Sequence, residues 1–261
     1  MRYLRLYAYF LRFSFSRALE FRLDFFFRIL MDSFFYAVNL LFFSILYTHT
    51  DTLAGLSEDE IYIFVAGYLF LDAVHMTLFS NNMWMLPFLV NRGDLDYYLV
   101  RPVSTLFFLS LREFAANSFL NLILASGILA WAIGRYPHPL GAWQVTVFVV
   151  LLLVGTALYY ALNMLFTVPV FWTHSAQGFR QLFFAIGTLG ERPHPIFTGW
   201  SGRLLRTVLP FSLMVSYPTY LLLDGYNWTM LLELATGVGV TFALMLFLWS
   251  RGLRAYSSAS S

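Results

Sequence analysis

Long apolar runs alternate with short polar stretches along the whole chain. The clearest runs cover about 25–47, 61–79, 106–133, 145–166 and 230–249. Each approaches or exceeds the roughly 20 residues that an α-helix needs to cross a bilayer. A weaker run, about 178–197, is crowded at its end by Glu191, Arg192, Pro193 and Pro195. Another, 204–223, contains Pro210 and Pro218; each removes a helix hydrogen bond, so the run predicts a bent or broken re-entrant hairpin rather than a span. The pattern therefore predicts an all-α, polytopic membrane protein with six transmembrane helices and an N-terminal interfacial helix. An extracellular re-entrant helical hairpin within 198–225 precedes the last span. No room remains for a second domain, and 1–261 is read as one.

Residues 1–22 do not read as a cleavable leader, because arginines interrupt any apolar core and no small-residue cleavage site follows. At 100° per residue Arg2, Arg5 and Arg12 fall within about 80° of one another, with Leu4, Leu11 and Phe15 on a different side. That arrangement predicts a helix lying in the headgroup region. Asp24, Arg28 and Asp32 follow at i, i+4, i+8 and can neutralise one another at the entry to the first span. The loop before the second span, with Asp51, Glu58, Asp59 and Glu60, has no basic residue.

Composition sharpens this picture. Of the 261 residues 59% are hydrophobic, 20% aromatic and only 11% charged, where a soluble domain carries roughly a quarter charged residues. All 16 basic residues are arginine. With six spans and both termini in the cytoplasm, only Arg135, Arg192, Arg203 and Arg206 fall outside, as the positive-inside tendency requires. The arginines are spread along the chain, which argues against a nucleic-acid partner. With no cysteine, disulfides and thiolate chemistry are excluded.

Catalytic templates fail one after another. Without lysine there is no G-x-x-x-x-G-K-[ST] phosphate loop, and no H-E-x-x-H occurs. The five histidines fall in five separate segments, without metal-site spacing. Gly199-Trp200-Ser201-Gly202 is one residue short of a nucleophile elbow. No catalytic, cofactor-binding or metal-binding residue is assigned. Polar residues inside the spans are costly unless they face protein or water. Glu113, Asn117 and Asn121, at i, i+4, i+8, make a stripe that fits either a substrate path or an interhelical interface. Asp72, His75 and Asn163 add scattered polarity, and Glu233 lies near the outer end of the last span.

The most informative stretch is the loop after the second span, taken as 84–103. Within it Gly93-Asp94-Leu95-Asp96-Tyr97-Tyr98-Leu99-Val100-Arg101-Pro102 predicts a short helix: Gly93 permits a reversal, Asp94 can cap, and Pro102 discourages continuation. The helix would present Leu95, Tyr98 and Leu99 to a soluble partner. Here the chain resembles the six-span permeases of type-2 ABC exporters, in a bacterial branch with a G-x-L-D-x-x-L-x-R-P loop. Pro193-His194-Pro195-Ile196-Phe197 with Trp200, Leu209-Pro210-Phe211 through Tyr217-Pro218, and Arg251-Gly252-Leu253-Arg254-Ala255-Tyr256-Ser257-Ser258-Ala259 agree with it.

The resemblance implies a permease subunit of the bacterial inner membrane, paired with a second permease chain, identical or homologous. Two copies of a separate ATP-binding subunit would carry ATP and Mg, none bound by this chain. Residues Asp94 to Arg101 would be the coupling helix, 1–22 the elbow helix and 204–223 the extracellular re-entrant helices. Against this stand a secondary carrier or channel, which needs no ATPase, and a non-transporting membrane scaffold.

Overall fold

Glu58, Asp59 and Glu60 do not stay in a loop; they begin a helix. The Ser57 N–H donates to the Glu60 carboxylate at 2.8 Å, and three acids in the first turn complement the positive end of the helix dipole. Arg135, from a distant helix, pairs with Asp59 at 2.5 Å and with Glu58 at 3.7 Å. The computed structural model that shows this describes residues 2–20, 22–175 and 177–257, without the side chains of residues 2, 17–20, 22–25, 28 and 117. The pairing read for Asp24 and Arg28, and the string's Ser258 and Ala259, lie outside that description.

In chain order the helices are α1 (Arg2–Glu20), α2 (Arg22–Tyr47), α3 (Glu58–His75), a π turn (Met76–Ser80), α4 (Asn81–Arg92), α5 (Asp96–Leu99), α6 (Thr105–Leu111) and α7 (Ala116–Arg135). Then come α8 (Ala142–Thr167), α9 (Val170–Thr173), α10 (Gln177–Gly187), α11 (Gly199–Thr207), α12 (Ser216–Leu223) and α13 (Trp228–Ala255), with short 3-10 turns around α10 to α12. Among the described residues five helices are long and apolar enough to cross a membrane: α2, α3 with α4, α7, α8 with α9, and α13. The chain is a multi-pass, all-α membrane protein.

Helix α3 is the axis of the bundle. Of its most apolar stretch with α4, 78% is buried, against 11% for α2 and 17% for α13. Its Ile61, Ile63, Phe64, Leu69 and Leu71 pack with Phe148 and Leu152 of α8 and with Leu213 and Tyr217 near α12. Gly155 lets the backbone at Met214 lie directly on α8, where any Cβ would collide with the Met214 carbonyl. A second core at the other end joins Met83 and Leu86 of α4, Leu109 of α6, Met164 of α8, Phe171 of α9 and Trp249 of α13.

Three boundaries differ from the sequence reading. The second span does not stop at residue 79 but continues through the π turn to Arg92, so the loop begins at Gly93 and not at 84. Pro87 removes only one hydrogen bond, and Leu86, Pro87, Leu89 and Val90 are buried around it, which holds the helix. The third span is two helices, α6 and α7, parted at 112–115. The fifth segment is α10, 11 residues long, followed by a 3-10 turn to Glu191. The proline-containing run is broken as expected, into α11 and α12, neither long enough to cross.

Candidate functional site

Gly93 closes α4 in the left-handed region at φ 79°, a conformation that glycine adopts without strain. The chain reverses there, and the Leu95 N–H donates to the Leu89 carbonyl at 3.2 Å. Leu95 is thereby driven into the core beside Met83, Leu86 and Leu109. This corrects the expected face of α5: Leu95 is fully buried and Tyr98 half-buried, while Tyr97 (69%) and Val100 (84%) are the side chains left exposed. Leu99 is exposed too. Asp94 does not cap; the helix starts after Leu95 with no side-chain cap, and Asp96 lies in its first turn.

Two arginines hold α5 to α6. The Arg101 Nε donates back to the Tyr97 carbonyl at 3.1 Å, and its guanidinium lies 5.2 Å over the Phe108 ring. Arg112 donates to the Tyr98 hydroxyl, stacks 5.3 Å over the Tyr98 ring and pairs with Glu113 at 2.7 Å. Guanidinium over an aromatic face, with a hydrogen bond to its rim, combines two directional attractions. Pro102 is exposed where the chain leaves α5.

The break at 112–115 exposes backbone groups that lipid cannot satisfy, and three neighbouring elements supply partners. The Asn82 side chain accepts from the Glu113 N–H at 2.9 Å and donates to the Glu113 carbonyl at 2.8 Å. The Ala115 N–H donates to the Thr77 carbonyl at 2.9 Å, in the π turn, where the regular ladder is interrupted. The Phe114 N–H donates to the buried Ser14 hydroxyl of α1 at 3.2 Å. Helix α1 also lies along α6 through edge-on pairs, Tyr3 with Phe107 at 4.8 Å and Phe10 with Phe108 at 5.0 Å. Coupling-loop candidate, break and N-terminal helix thus form one continuous structure.

The remaining sequence candidates separate. Arg5 and Arg12 are exposed on α1; the side chains of Arg2 and Asn117 lie outside the described residues. Glu113 sits in the break, so the helical stripe with Asn117 and Asn121 does not extend to it. Asn121 is buried and donates to Asp32 of α2. The roles of Asn82, Thr77 and Ser14 were not legible in sequence. The signal that points to them is Asn82 itself, a polar residue in the middle of an apolar helix. Among the described residues no group of three histidine, aspartate or glutamate side chains could hold a metal ion. Residues 34–260 match a family model described as ABC-2 family transporter protein. No curated protein and no solved structure matches the chain.

Proposed function

We propose that this permease, which belongs to the ABC-2 family of transporter proteins, is an exporter subunit driven through α5 by a separate ATP-binding protein. The observation that carries the reading is α5 itself. A helix of four residues has no stability of its own, yet here it is pinned by Leu95, Arg101 and Arg112 and offers Tyr97, Leu99 and Val100 to solvent. Exposed apolar side chains on a rigid mount are what a docking knob needs. Force applied to it passes through Tyr98 and Arg112 to the break between α6 and α7, and so to α4 and α1.

In this reading α5 and both termini face the cytoplasm, α10 with its 3-10 extension is a short sixth crossing, and α11 with α12 dips in from the outside. The complex has two permease chains, identical or homologous, and two ATP-binding subunits in the inner membrane. Export follows from the family analogy.

The absence of native cysteine makes the topology test clean. In intact cells a Tyr97→Cys variant is expected to resist a membrane-impermeant maleimide and to react after permeabilisation. Labelling from outside would remove the assignment. In the reconstituted complex, Arg101→Ala and Asp96→Asn are expected to leave insertion intact and to uncouple ATP hydrolysis from transport; wild-type coupling in both would remove α5 from the drive train.

A further inference from the structure

A cavity of about 390 Å³ lies between α2, α3, α7, α8 and α10, a volume typical of sites for small organic ligands. Three acids line it: Asp32 from α2, Asp72 from α3 and Glu191 after α10. No basic side chain is among its described lining residues. Aromatic rings form much of the wall, with Tyr36, Tyr68, Tyr159 and Phe184 prominent. The wall also includes Met76, the first residue of the π turn, a distortion frequent at functional sites.

The polar groups here do not balance. Asp32 accepts from the Asn121 amide, and Glu191 accepts from the Tyr68 hydroxyl at 3.1 Å. Among the described residues no hydrogen bond to the Asp72 carboxylate is formed, although it stands on the most buried helix of the bundle. Asn121 is only 2% exposed, and its Oδ1 is buried without a partner. Its orientation follows from chemistry: a carboxylate cannot donate, so the amide nitrogen must face Asp32 and the oxygen must face away. Three carboxylates thus face one cavity inside the membrane domain, with hydroxyls and an amide as the only donors among its described lining residues. An acid left so is expensive unless something positive or hydrogen-donating meets it. A metal ion would need several converging ligands, and the described residues hold no such group. Tyrosine faces beside a carboxylate suit an ammonium group with an organic body.

We propose that this cavity binds a small organic monocation, with the Asp72 carboxylate as counter-ion and the tyrosine rings as walls. Every described lining residue comes from this chain, and the site stands whether or not α5 docks an ATP-binding subunit.

The test is equilibrium binding of radiolabelled benzyltrimethylammonium to the purified full chain in lipid nanodiscs without any partner. Neopentylbenzene, its uncharged isostere, serves as competitor. Saturable binding that the unlabelled cation displaces and the isostere does not is expected. Asp72→Asn should weaken it at least tenfold and Tyr159→Leu several-fold, with Asp51→Asn, in the exposed loop before α3, unchanged. Absence of saturable binding, equal displacement by the isostere, or unaltered binding in a folded Asp72→Asn protein would each overturn the proposal. The comparison of cation with isostere needs no variant, so a misfolded mutant cannot shield the idea. Failure here leaves the role of α5 untouched, because no partner takes part.

Discussion

Two polar clusters share one continuous helix. Asp72 and Asn82 are ten residues apart, roughly 15 Å along the axis, and both face other helices inside a membrane domain. Around Asn82 the amides of the break find partners: the N–H groups of Glu113, Phe114 and Ala115 are taken by Asn82, Ser14 and Thr77. Around Asp72 the described groups do not close: the acid lines a cavity without a hydrogen bond, and the Asn121 amide oxygen nearby is buried without a partner. Polarity in lipid carries the same cost in both places. Where the protein offsets that cost internally the cluster is a joint, and where it does not the cluster is open to a ligand.

The comparison breaks most visibly at Asn82. Asn82→Leu removes both hydrogen bonds to Glu113 and leaves an N–H and a carbonyl without partners in a largely apolar setting. At ~1–3 kcal/mol for each stranded group, a loss of about 3 kcal/mol is expected. Thermal unfolding in detergent, followed by tryptophan fluorescence, should show a large drop in midpoint. A variant as stable as the wild type would mean that water satisfies the break and that the joint is not built from Asn82.

That joint also marks the limit of what the sequence discloses. The Gly93–Pro102 reversal was legible because its causes are local: a glycine that turns left-handed and a proline that ends a helix. The break at 112–115 was not, since hydropathy runs through it from Leu106 to Ile133. Asn81 and Asn82 looked like the end of a span for the same reason; the partner that makes Asn82 tolerable lies 31 residues away. The buried face of α5 was misassigned because Leu95 is drawn into a core assembled from α4 and α6. Asp72 stood out in sequence only as isolated polarity; that Asp32, Asn121 and Glu191 converge on the same cavity is a fact of packing.

The second prediction sharpens the contrast with an opposite sign. Among the described residues Asp72 accepts no hydrogen bond, so Asp72→Asn relieves a desolvated acid and breaks none of the bonds seen there. Without ligand the variant is expected to equal the wild type or exceed it by about 1 kcal/mol. The same unfolding assay reads it. Destabilisation by more than that amount would show Asp72 to be paired in the folded protein and would turn the cavity into a second joint.

The smallest effect is expected at Ser14, where the joint meets α1. Ser14→Ala removes one hydrogen bond at 3.2 Å to the Phe114 N–H, for which about 0.5–1 kcal/mol is usual. The edge-on pairs of Tyr3 and Phe10 with α6 remain, and aromatic pairs of this kind contribute about 0.5–1.5 kcal/mol each, so α1 should stay docked. Global stability will therefore hardly register the change, and the informative measurement is local: hydrogen exchange at the Phe114 amide should accelerate about two- to fivefold while Glu113 and Ala115, held by Asn82 and Thr77, keep their protection. Acceleration at all three amides together would mean that the break opens as one unit with α1 as its latch, and the division of labour among Ser14, Thr77 and Asn82 would have to be given up.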